Sequence, residues 1–212
     1  MSNQATKPTT VDLRRELGEL YRGNEQPALV QVPAIDFLMI DGHGDPNGSA
    51  AFEGAVKALY GVAYGLRSRI RALLDGVEVR VMPLEGLWWI PDAQVWDFDD
   101  KSDWDWTVML AEPDVVTPEL VDETIATVRA RRSLAALDGI RFETFEEGPA
   151  AQVLHRGPFV AERETLARLH EFIKERRTVP VGKHHEIYLT DAKRTAPDRM
   201  RTIIRQPVAV DG

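Results

Sequence analysis

The chain has 212 residues, 43% hydrophobic and 28% charged, with a formal net charge of -8 and no cysteine; this mixture suits one large soluble domain or a compact pair of half-domains. The acidic balance leaves no basic excess for phosphates, so nucleic acid is not an expected partner. No apolar run approaches the roughly 20 residues that span a bilayer, and no signal-peptide core follows the polar residues 1–6, so a cytoplasmic protein without a membrane partner is expected.

Val11, Leu13, Leu17, Leu20 and Tyr21 recur at near-helical spacing, which predicts a short amphipathic helix in an N-terminal extension over residues 1–28. Residues 34–40 read as a strand stopped by the turn-rich run 41–48. From Ser49, a plausible N-cap, Phe52, Val56, Leu59, Tyr60, Ala63, Tyr64 and Leu66 keep helical spacing as far as Leu74. Strands are expected at 77–84, 86–90 and 106–110, and a charged linking helix at 118–134. The second half repeats the order: a strand at 151–155, a turn at Arg156-Gly157-Pro158, a helix through Leu166, Leu169, Phe172 and Ile173, then strands at 185–189 and 200–205.

The expected fold is therefore α+β. Two duplicated strand-helix-strand-strand (SHS2-type) units, about 29–115 and 138–212, would build a curved antiparallel sheet with two helices, together making one domain over 29–212. Direct identity between the halves is low, so the matching order of elements carries this reading. A central ligand cleft is expected where the copies meet.

The most informative stretch for chemistry is His184-His185-Glu186-Ile187-Tyr188-Leu189-Thr190. On a strand Glu186, Tyr188 and Thr190 share one face, and Ile187 and Leu189 the other, core-facing one. A carboxylate in that setting must be solvated, paired, or standing in a cavity where something binds. The competing reading pairs it with Lys183 or Arg205. His184 and His185 point to opposite faces and cannot readily share a metal, so no metal site is expected. His155 ends a strand at a turn, where it is placed to face the groove. All five Trp fall between 88 and 106; Trp88 and Trp89, with Trp96, Trp104 and Trp106, could wall a groove for planar aromatic ligands. The acidic loop 97–103 reads as a solvated connection. No nucleophile elbow, phosphate loop or dinucleotide fingerprint is present, and no cofactor is expected.

Three blocks, Leu59-Tyr60-Gly61-Val62-Ala63-Tyr64-Gly65-Leu66-Arg67, Pro83-Leu84-Glu85-Gly86-Leu87-Trp88 and His185-Glu186-Ile187-Tyr188-Leu189-Thr190-Asp191, with the tail from Arg194 to Pro207, resemble the GyrI-like small-molecule-binding superfamily. The likeness runs from about Leu13 onward and is strongest to stand-alone members, the cyclopropanoid cyclopropyl hydrolases. It implies hydrolysis of cyclopropane-bearing aromatic genotoxins, with Glu186 as general base. Tyr64, Tyr188 or His155 would be the hydrogen-bond donor to the developing oxyanion, and Trp88, Trp89, Tyr60 and Trp106 would contact the ligand. The alternative is non-catalytic sequestration of lipophilic or cationic aromatics. The residues before Val30 are too few for a helix-turn-helix module, which disfavours a DNA-binding regulator. Nothing in the chain supports a protein partner such as a topoisomerase.

Overall fold

A computed structural model describes residues 9–91 and 100–210. Trp96, and residues 97–99 of the acidic loop, lie outside the described residues. The chain opens with β1 (Thr9–Val11) and two short helices, α1 (Leu13–Glu16) and α2 (Glu19–Arg22). A single helix was the expectation for this segment; Gly18 at φ 43°, outside helical geometry, breaks it in two. Then follow β2 (Ala28–His43), α3 (Ala50–Leu73), β3 (Val77–Val79), β4 (Glu85–Trp89), β5 (Asp105–Glu112) and α4 (Pro118–Arg131). The remainder is β6 (Arg141–Arg156), α5 (Glu162–Glu175), β7 (Thr178–Pro180), β8 (His184–Tyr188) and β9 (Arg201–Val210).

The fold is α+β, with five α-helices among the described residues and a curved antiparallel sheet that closes into a barrel. Strand order is β6-β2-β5-β4-β8-β9, and β9 pairs back onto β6 to close the ring, with β7 added at the end of β9. β2 and β6, at 16 residues each, are much longer than their predicted pieces because they pair with each other from Ala28↔Gln152 to Met39↔Arg141. The strand predicted at 77–84 is shorter: only Val77–Val79 pairs, in parallel with β1.

Alternation on the strands sorts the side chains into two faces. Phe37, Met39, Leu87, Met109, Ala111, Ile187 and Ile203 fill the barrel interior, closed at one end by Leu13, Leu20 and Tyr21 of α1 and α2. Outside, Leu38, Ile40, Trp106, Val108 and Leu110 pack under α3, whose buried stripe Ala55, Ala58, Leu59, Val62, Leu66 and Ile70 has helical period. Ser49 caps α3, its Oγ accepting from the Phe52 N–H at 3.2 Å. α5 packs Leu166, Leu169 and Ile173 on Ala151, Val153, Ile204 and Val208.

Gly42 stands opposite Trp106 in register, and the indole lies flat over it: a Cβ there would come within 2.1 Å of the ring. Gly42→Ala is therefore expected to cost about 1–3 kcal/mol through overpacking, seen as a lowered thermal midpoint. An unchanged midpoint would mean that the Trp106 ring moves freely.

Candidate functional site

α3 covers the outside of the barrel over β2 and β5, and α5 covers it over β6 and β9. Between them the outer face of β4 and β8 is left open as the floor of a cleft of about 1010 Å³. One wall is the second stripe of α3, Phe52, Val56, Tyr60 and Tyr64, spaced four residues apart so that all four stack on one side of the helix. Glu162 and Leu166 of α5, with Phe159, form the facing wall, and Trp88, His184, Glu186 and Tyr188 the floor. Lys101 and Trp104 close one end, the ammonium 4.8 Å from the indole centroid.

Aromatic contacts hold these surfaces in place. Phe52 stacks on Trp88 at 5.9 Å between centroids and meets Trp106 edge-on at 5.1 Å. Trp104 leans against Trp88 at 5.9 Å, Tyr60 stacks on Tyr64 at 6.1 Å, and Phe159 meets Tyr188 edge-on at 5.7 Å.

Glu186 faces the cleft from the middle of β8. Its cross-strand partner on β4 is Gly86, which has no side chain to cover the carboxyl, and the Trp88 indole lies over that glycine. Glu186 Oε1 is 3.2 Å from His184 Nε2, and the Tyr188 hydroxyl, on the same face of β8, also favours the charged carboxylate. Burial pushes its pKa up, but His184, Tyr188 and the charge of Lys101 outweigh it and hold the carboxyl below its ordinary value. The rise that burial causes falls instead on the neighbouring Glu162, pushed up to about 9 by burial and then by the charge of Glu186. Tyr188 is driven well above its ordinary range, first by burial and then by Glu186; the Trp88 N–H opposes this without the alignment of a full hydrogen bond.

Glu186, Tyr188, Tyr64, Tyr60 and Trp88, all singled out in the sequence, line this cleft. Tyr64 is on its rim, 55% exposed. Three other residues singled out with them are not part of the lining. His155 is buried, with Nδ1 2.9 Å from Thr165 Oγ1 and Nε2 3.3 Å from the Pro158 carbonyl, so its ring is committed to the turn into α5. Trp106 is 1% exposed beneath α3, its Nε1–H donating to the Gly44 carbonyl at 3.2 Å. Trp89 has the opposite strand parity to Trp88 and lies under Lys183, whose Nζ is 3.3 Å from the ring centroid. Neither competing partner for Glu186 reaches it: Lys183 sits on Trp89, and Arg205 points into the barrel. Trp104, grouped in the sequence with the other indoles as a groove wall, and His184, weighed there only as a metal ligand, line the cleft too, as do Phe52, Phe159 and Glu162, which sequence reasoning did not select. Only the four-residue spacing of Phe52 with Tyr60 and Tyr64 could have announced one of them.

Among the described residues no group of three or more His, Asp or Glu is arranged to hold a metal ion, and no helix is long and apolar enough to cross a membrane.

An α+β barrel with an aromatic-walled cleft over a buried carboxylate is the framework of a small-molecule-binding domain. The model of the GyrI-like small molecule binding domain matches residues 25–209, and the chain belongs to that family. An uncharacterised conserved protein from Listeria innocua is 35% identical, with a TM-score of 0.87 over 94% of this chain and 100% of that one. A hydrolase from Listeria innocua is 33% identical, with a TM-score of 0.84 over 95% of this chain and 100% of that one. The C-terminal domain of EcmrR shares the fold at 12% identity and a TM-score of 0.53, over 87% of this chain and 98% of that one. No functionally curated protein matches the chain.

Proposed function

We propose that this protein is a cytoplasmic detoxifying hydrolase that opens the activated cyclopropane of planar aromatic electrophiles by adding water. The observation that carries the reading is the Glu186 carboxylate, buried at the floor of an aromatic-walled cleft yet held ionised by His184 and Tyr188. Likeness to Listeria hydrolases at 33% identity supports hydrolysis as the reaction class. We also read the halves 29–115 and 138–212 as copies of one SHS2-type unit, on the matching order of their elements.

In a cyclopropane joined to a cyclohexadienone, water attacks the methylene carbon and the bond to the ring carbon breaks. Its electron pair moves to the ketone oxygen, leaving a phenolate that takes up a proton. Glu186 accepts the proton lost by the water. Tyr188 and His184 hold its carboxylate in place. Trp88, with Phe52 and Trp104, holds the planar ring so that the methylene faces the water. Tyr60 and Tyr64, further along the same α3 wall as Phe52, present hydroxyls to the oxygen that gathers charge. His155, Trp89 and Trp106 have no part in this scheme, since none reaches the cleft.

Incubation with excess of a cyclopropane-bearing cyclohexadienone, followed by mass spectrometry, tests the reading. Many equivalents of a product heavier by one water are expected from the wild type, with the rate reduced on the order of 10²–10⁴-fold in Glu186→Gln. Uptake of one equivalent without conversion would exclude hydrolysis and leave sequestration of lipophilic or cationic aromatics.

A further inference from the structure

The cleft holds a buried acidic group that this reaction scheme leaves unused. Glu162, the first residue of α5, is 6% exposed, lines the cleft, and has a buried Oε1 with no hydrogen-bond partner. Its carboxyl group lies within hydrogen-bonding reach of Glu186 and of the Thr202 hydroxyl. Two carboxylates only accept hydrogen bonds, so two ionised groups held this close inside a protein repel and leave lone pairs unsatisfied. A single proton between them turns the repulsion into a charge-assisted hydrogen bond.

The neighbours decide which carboxyl carries that proton. Glu186 already has His184 and Tyr188, which favour its charge. Glu162 has Thr202 and the more general field of Lys101, and burial is the dominant influence on it. Tyr188 of β8 interacts with both carboxyls; Arg163 of α5 is on the same cleft lining, and His170 of α5 interacts with His184.

We propose that Glu162 is a positioning residue that carries the proton of the pair and donates it to Glu186, fixing the carboxylate so that its free oxygen meets the attacking water. The role in turnover rests on Glu186 being the general base; the location of the proton does not. Glutamine at 162 preserves a donor through its amide N–H, whereas alanine removes it. With Glu162 pushed up to about 9, the donor is present at neutral pH and lost as pH rises through that value.

Kinetics and infrared spectroscopy together test this. Glu162→Ala is expected to lower kcat about 10–100-fold, and Glu162→Gln to recover most of that loss. The wild type should lose kcat as pH approaches 9, and the Gln variant should lack that step. A merely structural role would lower stability in both variants and leave the profile intact. A Gln variant as inactive as Glu186→Gln would show that Glu162 must ionise, and would overturn the proposal, as would an unimpaired Ala variant. Infrared spectra need no turnover. In a Glu112→Gln background, which removes another carboxyl held protonated by burial, a protonated-carboxyl band is expected at pH 7, and further change of Glu162 to Gln should abolish it. Persistence of the band overturns the proposal; a wild type with no turnover, but with this band behaving as expected, fails the hydrolase reading alone.

Discussion

Replacing Arg205 by methionine is expected to lower the stability of the fold by about 3–5 kcal/mol, because it breaks a charged network inside the barrel. Arg205 is 2% exposed inside the barrel, where its Nε donates to Gln152 Oε1 at 3.1 Å, Nη1 to Glu147 Oε2 at 3.0 Å and Nη2 to the Leu20 carbonyl at 2.8 Å. Beside it His185 bridges two carboxyl groups, with Nδ1 3.0 Å from Glu147 Oε1 and Nε2 2.9 Å from Glu85 Oε2. The Tyr21 hydroxyl completes the cluster by donating to Glu85 Oε1 at 2.6 Å. The cluster thus joins α2, β4, β6, β8 and β9 among side chains that are almost wholly buried. Methionine approximates the volume but leaves Glu147 with His185 alone and three acceptors without their donor. Urea unfolding measures the loss; a change below about 1 kcal/mol would mean that water enters the barrel and solvates the charges.

The same cluster bears on the cleft, because His185 and Glu186 are consecutive on β8 and point to opposite faces. Anchoring His185 between β4 and β6 fixes the rotation of β8, and with it the direction in which Glu186 leaves the sheet. A stability element inside the barrel therefore helps to position the candidate base outside it.

Much of this was legible in the sequence where the signal is local. Ser49 and the 3.6-residue apolar period located α3 to within a residue at each end, and strand alternation put Glu186 and Tyr188 on one face with Ile187 on the other. What escaped depends on pairing between distant segments. Arg141 to Glu147 shows no apolar alternation, and becomes strand only because β2 lies alongside; barrel closure through β6 and β9 is likewise invisible to local periodicity. The selection of Trp106 and Trp89 failed for a related reason. Clustered indoles reveal an aromatic region, but which of them reach the cleft depends on strand parity and on which helix lies above. Glu162 looked like any acid in the first turn of a helix, where a carboxylate is ordinarily solvated and favoured by the helix dipole. Only the approach of β8 sets it against a second carboxyl.

The stability of this protein is expected to peak near pH 5 and to fall steadily towards pH 9. On the acid side, burial pushes Glu147 up, but His185 and Arg205 outweigh it and hold the carboxyl at about 2. Its contribution is therefore complete above its ordinary value of 4.5 and is lost as pH falls towards 2. Three groups act in the opposite sense. Glu112, pushed up to about 8 by burial, and Glu162, pushed up to about 9, keep their protons in the folded state while the unfolded chain releases them above 4.5. Burial lowers His185, but Glu147 and Glu85 raise it to about 9, so its contribution is complete below 6.5 and lost as pH rises towards 9. Each group subtracts up to about 1.4 kcal/mol per pH unit across its window. Glu112 offers the cleanest test, because burial alone raises it and it lies at the end of β5, outside the cleft lining. Glu112→Gln is expected to match the wild type in urea unfolding at pH 5 and to exceed it at pH 8 by on the order of 2–4 kcal/mol, because the neutral amide has no charge to bury. Parallel pH profiles for the two proteins would show that Glu112 ionises in the folded state as readily as in the unfolded chain, and the alkaline fall would then have to come from His185 and Glu162.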